Sequence, residues 1–219
     1  MLEVGDGVRR CVIIPAWAPD GIRDVVSLRA DDLIVCADGG YALARRENIV
    51  PHVLVGDFDS LGRLPDDVPP GCRVIPAQRE KNETDTFLCL QCGISEGCDT
   101  FLIAGGIGGR LDHTVANLQL LVYAARRGYS MWMTDKHNRV TAMMPGFMRV
   151  PRAEGFKLSV LAYAGQCAGV TLQHVKYPLL DAVLTEDFPL GISNEFDGPE
   201  AEISLKEGCL LVFLSRDGE

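Results

Sequence analysis

The sequence predicts an α/β fold in which an N-terminal, largely parallel sheet with flanking helices is followed by a C-terminal all-β sandwich. The first observation is that short apolar runs alternate with helical patterns from residue 11 to about 135, which is typical of βαβ units. The second is that this alternation stops after Val140, where strand-like runs are separated by Gly, Pro and Asp turns. We therefore predict two domains, residues 1–142 and 143–219.

Six short apolar runs in the first half predict strands that are covered on both faces, because nearly every position in them is hydrophobic. They are Val12–Ile14, Leu33–Ala37, Val53–Val55, Arg73–Ile75, Thr100–Ala104 and Met131–Met133. One helix is predicted from Asp112, as its N-cap, to Gly128, since apolar residues recur between them at spacings of three and four. A second helix is predicted to begin near Thr84 and Asp85 and to run through Ile94.

The second half contains strand-like runs separated by Gly, Pro and Asp turns, and no helical pattern. These predicted strands are Lys157–Ala162, Gly169–Gln173, Ala201–Leu205 and Cys209–Leu214. Their number and spacing favour a small sandwich or barrel.

Composition and charge exclude several classes of function. The net charge of −9 argues against a nucleic-acid binder, because such proteins neutralise phosphates with clustered Lys and Arg. The N-terminal apolar run Cys11–Ile14 is too short for a signal peptide or a membrane span, so we expect a cytoplasmic protein that does not bind membranes. Of the eight cysteines, only Cys89 and Cys92 have a metal-like spacing; a zinc site and free buried thiols stay as alternatives, and the missing second pair favours the thiols.

Polar clusters follow four predicted strands, at the edge where open α/β sheets bind ligands. They are Asp38-Gly39-Gly40, Gly56-Asp57-Phe58-Asp59-Ser60, Lys81-Asn82-Glu83-Thr84-Asp85-Thr86 and Gly105-Gly106-Ile107-Gly108-Gly109-Arg110-Leu111-Asp112-His113. Several loops that converge on one edge predict a single site there.

Carboxylates dominate three of these clusters. Asp57 and Asp59, with Asp38 and Asp85, offer the hard oxygen ligands that suit Mg²⁺. The alternative is a solvated acidic turn, with Asp85 at the start of a helix. The spacing alone does not separate these two interpretations.

The glycine-rich segment before the Asp112 helix predicts a phosphate-binding loop, because glycines let backbone N–H groups approach a phosphate closely. A flexible turn is the alternative. Arg110 and Lys81 could bind phosphate or form surface ion pairs. His113 and Asn117 could take part in catalysis or bond to the backbone, and the absence of a Ser or Cys partner favours the structural role for His113.

The order of these clusters resembles the thiamine pyrophosphokinase family. The resemblance rests on Asp38-Gly39-Gly40, Gly56-Asp57-Phe58-Asp59-Ser60, Thr84-Asp85-Thr86, Gly108-Gly109-Arg110-Leu111-Asp112-His113 and Gly191-Ile192-Ser193-Asn194-Glu195. It extends from residue 33 to about 214, and five segments in the right order are far more specific than any one of them. The sequence departs from the family at Pro15-Ala16-Trp17-Ala18-Pro19, where members often have a Gly-rich or Asn-Gly turn.

The resemblance implies an N-terminal nucleotide-binding catalytic domain, a C-terminal thiamine-binding sandwich and a homodimer whose thiamine site lies between subunits. It implies ATP as co-substrate and Mg²⁺ held by Asp57, Asp59 and Asp85. The implied catalytic residues are these three aspartates with Arg110 and Asp112. The candidates for nucleotide and phosphate binding are Asp38, Gly39, Thr84, Gly108, Gly109, Arg110 and His113. The candidates for thiamine binding are Ser193, Asn194 and Tyr177.

The implied reaction is attack by the thiamine hydroxyl oxygen on the β-phosphorus of ATP, with AMP as the leaving group. Such transfers depend on positioning and charge neutralisation. One alternative is a phosphatase in which Asp57 forms a phosphoaspartate, although Gly56 before the acidic pair and the C-terminal β unit speak against it. Another is a binding module that kept the fold without the chemistry.

Overall fold

The structure is a computed structural model of the chain, and it describes residues 9–58, 66–77 and 82–218. Within these ranges the chain forms two compact units. The first unit takes in the described residues up to Leu120 and the segment Tyr129–Lys136, and the second takes in Leu121–Gly128 and the described residues from His137 onward. The domain boundary at 142/143 stays a prediction.

The strands of the first unit form a parallel sheet. They are β1 (Arg10–Ile14), β2 (Leu33–Ala37), β3 (Val53–Gly56), β4 (Arg73–Pro76), β5 (Thr100–Ala104) and β6 (Ser130–Thr134). Their order is β4-β3-β2-β1-β5-β6, and every neighbouring pair is parallel. The predicted strands and the parallel sheet are confirmed. The burial predicted for all six is wrong for β4, which lies beyond β3 and is partly exposed along its length.

The strand order reverses at the centre of this sheet. The chain adds β2, β3 and β4 on one side of β1, and then returns to add β5 and β6 on its other side. The connections that leave the carboxyl ends of β1 and β5 therefore run in opposite directions and leave a crevice between them. Open α/β sheets bind their ligands at such a switch point.

Three helices are found in the described residues, and their starts follow from local sequence. They are α1 (Gly40–Arg46), α2 (Asp85–Ser95) and α3 (Leu111–Ala125). Helix α1 begins at Gly40, where only glycine fits because any side chain would collide with the backbone carbonyl of Ile14. Helix α2 begins as predicted, since the Thr84 hydroxyl accepts a hydrogen bond from the Phe87 N–H at 3.2 Å.

The predicted limits of α3 need a small correction. The helix begins at Leu111, so Asp112 lies in its first turn and is not the N-cap. Its carboxylate is held instead by Arg110 and by the N–H of His113. The helix ends at Ala125, and turns carry the chain to Gly128, whose N–H donates to the Ala125 carbonyl at 3.1 Å.

Apart from the end of α3, the second unit is the predicted all-β sandwich. Its strands are β7 (Asn138–Met143), β8 (Gly146–Pro151), β9 (Lys157–Ala162), β10 (Cys167–Gln173), β11 (Leu179–Leu184), β12 (Glu200–Leu205) and β13 (Leu210–Ser215). Antiparallel ladders join them in the orders β7-β13-β9 and β11-β10-β12-β8. Leu158 and Val212 from the first ladder and Leu172 and Ile203 from the second share one buried core. The sequence did not predict β7, β8 or β11.

The cysteines are free thiols, and all except Cys72 are buried. Cys92 accepts a hydrogen bond from the Arg73 guanidinium at 3.4 Å. In the described parts of the chain, no helix is long and apolar enough to cross a membrane.

Candidate active site

A cavity of about 460 Å³ lies at the carboxyl edge of the parallel sheet, at its switch point. Its size suits a small-molecule ligand. The loops after β1 and β5, the end of β2 and the N-termini of α2 and α3 supply its walls. The lining residues are Pro15, Ala16, Trp17, Ala37, Asp38, Glu83, Thr84, Asp85, Thr86, Gly106, Gly108, Arg110, His113 and Asn117.

Trp17 joins the two loops that flank the switch point. Its carbonyl accepts a hydrogen bond from the Gly106 N–H at 2.7 Å, and its indole N–H donates to the Ile107 carbonyl at 3.0 Å. Gly109, with φ of 63°, lies so close to the indole that a Cβ there would be 2.9 Å from two ring atoms. The indole is 49% exposed and forms an aromatic wall of the cavity. Sequence reasoning missed this role, although a tryptophan between two prolines directly after β1 was an available signal.

Most of the glycine N–H groups in the loop before α3 already donate hydrogen bonds to other parts of the protein. The N–H of Gly105 donates to the Thr134 carbonyl at 2.7 Å, and that of Gly108 donates to the Thr114 hydroxyl at 3.0 Å. With Gly106 bonded to Trp17, three of the four glycine amides are occupied. Within the described residues, the amides of Gly109 and Arg110 make no hydrogen bond, so these two suit a phosphate better than the earlier glycines do.

Asn117 has a structural role in this loop. Its side chain is buried, and its Nδ2 donates to the Gly106 carbonyl at 3.0 Å. Because a buried carbonyl left without a donor is costly, this bond fixes the conformation of the loop. His113 lies on the same helix and lines the cavity, and its backbone N–H donates to the Asp112 carboxylate at 3.0 Å.

Arg110 and Asp112 form an exposed ion pair beside the cavity. The Nη2 and Nε atoms of Arg110 donate to the two carboxylate oxygens at 2.6 and 3.2 Å. These hydrogen bonds hold the pKa of Asp112 below its ordinary value and raise the pKa of Arg110. The pair orients the guanidinium at the rim, where Arg110 itself lines the cavity.

The backbone of Asp38 is held at the end of β2 by two hydrogen bonds. Its backbone has φ of 43°, its N–H donates to the Val55 carbonyl at 2.8 Å, and its carbonyl accepts from the Tyr41 N–H at 3.1 Å. A Cβ on Gly56 would lie 3.0 Å from the Asp38 Cα, so the ends of β2 and β3 are in contact. Asp57, which follows Gly56, therefore lies just beyond the same edge of the sheet as Asp38.

The predicted magnesium group is not assembled by the described residues alone. Asp85 lines the cavity, whereas half-buried Asp57 does not, and Asp59 lies outside the described residues, as does Lys81. No three His, Cys, Asp or Glu side chains in the described part of the chain stand close enough to hold a metal ion together.

The cavity brings together about half of the residues predicted for the catalytic and nucleotide sites. The predicted residues that line it are Asp38, Thr84, Asp85, Gly108, Arg110 and His113. Gly39, Asp57, Gly109 and Asp112 do not line it. Gly39 precedes α1, and its carbonyl accepts from the Ala42 N–H at 3.1 Å.

The predicted thiamine residues form a second cluster, in the β-sandwich unit. Asn194 is buried, its Oδ1 accepts from the N–H groups of Tyr177 and Glu195 at 3.0 Å, and its Nδ2 donates to the Tyr177 carbonyl at 2.8 Å. Asn194 therefore fixes the backbone of Tyr177, whose side chain is 60% exposed. Ser193, with φ of 56°, is exposed, and its N–H donates to the Ser159 hydroxyl at 2.9 Å.

Both halves of the chain match known families. Residues 27–133 match the thiamin pyrophosphokinase catalytic domain, and residues 148–210 match the thiamin pyrophosphokinase vitamin B1 binding domain. The chain is 30% identical over 190 residues to a thiamine pyrophosphokinase of Bacillus subtilis, covering 84% of this chain and 88% of that protein.

Solved structures give the same correspondence. The crystal structure of the Bacillus subtilis thiamine pyrophosphokinase superposes with a TM-score of 0.84 at 25% identity, over 96% of this chain and all of the other. The thiamin pyrophosphokinase of Geobacillus thermodenitrificans superposes with a TM-score of 0.80 at 28% identity, over 96% of this chain and 99% of the other.

Proposed function

Because the chain belongs to the thiamin pyrophosphokinase family, we propose that it transfers the pyrophosphoryl group of ATP to the hydroxyl of thiamine, giving thiamine diphosphate and AMP. The observation that carries this proposal is the cavity at the switch point, where Asp38, Asp85 and Arg110 surround a space of about 460 Å³. Its size suits a nucleotide, and a bound cation would offset the repulsion between its carboxylates and a phosphate chain.

The nucleotide occupies this cavity in our proposal. The exposed indole of Trp17 offers a flat aromatic surface on which a purine base can stack. Arg110 lines the cavity, its backbone N–H makes no hydrogen bond to the described residues, and it lies in the loop before α3, where the helix N-terminus favours negative charge. These groups hold the transferred phosphates in line with the incoming hydroxyl.

We propose that Asp57, Asp59 and Asp85 hold Mg²⁺. Carboxylate oxygens are the ligands that Mg²⁺ prefers, and the contact between Asp38 and Gly56 puts Asp57 at the same edge of the sheet. A bound Mg²⁺ neutralises phosphate charge during the transfer. The test is the rise in melting temperature that MgCl₂ produces on the wild type, which Asp57→Asn should abolish.

The thiamine ring is proposed to bind beside Tyr177 and Ser193 at a homodimer interface. The surrounding segment exposes several large apolar side chains, among them Leu180, which is 83% exposed, Phe188 and Ile192. Clusters of exposed apolar residues mark interfaces in many proteins. Buried Asn194 holds the backbone of Tyr177 through its Oδ1 and Nδ2 atoms, and it is also a proposed thiamine contact.

The free cysteines support a cytoplasmic location, because reducing compartments keep thiols unpaired.

Product analysis tests the reaction itself. The purified chain is incubated with ATP, Mg²⁺ and thiamine, and AMP, phosphate and thiamine diphosphate are quantified. We expect AMP and thiamine diphosphate in equal amounts, with a loss of at least about 100-fold in Asp85→Asn, as for other electrostatic groups of active sites. Asp31→Asn, in an exposed turn before β2, is the matched control and should keep full activity.

The rival functions give different products. A phosphatase would release inorganic phosphate without forming AMP, and it would not need thiamine. A binding module would bind thiamine and ATP without forming any product. Either result contradicts the proposed transfer.

A further inference from the structure

A second cavity, of about 380 Å³, lies in the β-sandwich unit and is rich in arginine. Its lining residues are Arg139, Pro151, Arg152, Ala153, Glu154, Phe156, Leu214 and Arg216. It shares no residue with the cavity of the α/β unit. Three arginines and a single glutamate in one cavity are unexpected in a chain whose net charge is −9.

The strand register explains why two of these arginines are neighbours. Arg139 on β7 is paired with Leu214 on β13, and both residues point to the same face of the ladder. Arg216 lies two residues beyond Leu214, so its side chain also leaves from that face. The two arginines are therefore diagonal cross-strand neighbours.

Phe156 lies under both guanidinium groups. It directly precedes Lys157, which β9 pairs with Ser215 of β13. The guanidinium carbon of Arg139 is 5.1 Å from the centre of the Phe156 ring, and that of Arg216 is 5.0 Å from it. An aromatic ring attracts cations to its faces, and it also gives the cavity an apolar wall.

The positive charges of the cluster are only partly compensated by the protein. Burial, and then the nearby charge of Arg216, lowers the pKa of Arg139 from its ordinary value. Within the described residues, neither Arg139 nor Arg152 forms a side-chain ion pair. Adjacent like charges on a sheet are unfavourable unless an opposite charge joins them.

The loop that carries Arg152 is anchored to the sandwich. The Arg152 N–H donates to the Pro199 carbonyl at 2.8 Å, while the side chain remains exposed. The third guanidinium is thereby supplied from a fixed backbone position directly after β8.

We propose that this arginine cavity binds a small phosphorylated molecule through its phosphate group. The planar forks of Arg139, Arg152 and Arg216 match the oxygens of a phosphate or diphosphate, and the Phe156 ring contacts its organic part. The cavity is wide enough for a ligand larger than inorganic phosphate. This site is independent of the proposed reaction.

Calorimetric titration at constant ionic strength tests the site. Inorganic phosphate, inorganic diphosphate and phenyl phosphate are each titrated into the wild-type chain and into Arg139→Gln and Arg152→Gln. We expect each substitution to weaken binding by about tenfold or more, since hydrogen bonds to charged groups are strong. Phenyl phosphate should bind more tightly than inorganic phosphate if the ring of Phe156 contacts the ligand, and tighter binding of diphosphate than of either would assign the site to a free polyphosphate.

Matched variants separate this site from other arginines. Arg149, also exposed and also near a phenylalanine ring, at 5.4 Å from Phe147, pairs with Glu200 and Glu202. Arg149→Gln should leave binding unchanged. Because Arg152 is exposed on a loop, its variant keeps the fold even if loss of half-buried Arg139 weakens it.

Two outcomes overturn the proposal. One is equal binding of every phosphate to the wild type and to Arg152→Gln. The other is that the wild type binds none of the phosphates, while Arg139→Gln changes the mass of the assembled protein. That result would assign the cluster to an interface with an acidic surface of a second copy.

Discussion

Gly109 combines a left-handed backbone with a close contact to an aromatic ring, so a side chain at this position is unfavourable for two reasons. Gly109→Ala strains the backbone and displaces the Trp17 indole. We expect a loss of about 1 kcal/mol in the free energy of unfolding from the backbone alone. We also expect a several-fold rise in the KM for ATP, measured by steady-state kinetics, because the indole moves.

Gly97→Ala is the control for this prediction. Gly97 has φ of 78°, but no atom lies within 4 Å of where its Cβ would be. This variant should lose similar stability and keep its KM for ATP. An equal rise of KM in both variants would mean that the contact with Trp17 has no effect on nucleotide binding.

The Arg110–Asp112 pair makes a prediction about pH. Because Arg110 lowers the pKa of Asp112 in the folded chain, their pairing stabilises the fold above the ordinary pKa of an aspartate, about 3.9, and this stabilisation disappears as the pH falls through the lowered value. Arg110→Gln should raise the pKa of Asp112 towards its ordinary value. A carboxyl carbon NMR titration of Asp112 in the wild type and in Arg110→Gln measures the shift.

The residue types at the site were readable from the sequence, but their partners were not. Asn117 could be placed one turn from His113, yet its bond to the Gly106 carbonyl depends on how a loop eleven residues earlier folds back. Likewise, the occupied amides of Gly105 and Gly108 could not be foreseen, because Thr134 and Thr114 come from separate elements.

At the scale of elements, the start of α2 depends on Thr84. Thr84→Ala removes the acceptor of the Phe87 N–H and should lower the free energy of unfolding by about 1 kcal/mol. Thr84→Ser keeps the hydroxyl and should retain most of that stability. Urea denaturation of the three proteins measures the difference, and equal losses in both variants would contradict the capping role.

The elements that the sequence did not predict are those whose pattern is weak. Strand β11 is largely exposed, so its residues do not alternate in hydrophobicity as half-buried strands do. Helix α1 has only seven residues, too few for a helical period to appear. By contrast, β1, β2 and β3 are completely buried, and continuous apolar runs identified all three.

At the scale of the whole molecule, the proposed homodimer can be tested by mass. Leu180→Glu places a charge in the exposed apolar segment of the β-sandwich and should shift the protein from dimer to monomer in light scattering. Val50→Glu changes an equally apolar side chain that is 63% exposed in the α/β unit, and it should leave the mass unchanged. A wild-type protein that is monomeric at all concentrations would exclude the dimer.

The two-part architecture followed from the sequence because the hydrophobic period changes near residue 140. The position of the switch point could not be predicted from the sequence, since strand order in a parallel sheet is decided by packing between elements far apart in the sequence. The family resemblance supplied the order of the site segments, whereas the arginine cavity came only from the register of β7 and β13.

The central position of β1 also affects how the chain folds during its synthesis. Arg10 of β1 is paired with Thr100 of β5, so β1 can pair on this side only after the ribosome has synthesised β5. At the usual pace of translation that delay is roughly 5 to 20 s. Throughout it, one edge of β1, whose residues after Arg10 are all apolar, is available to chaperones and to neighbouring nascent chains.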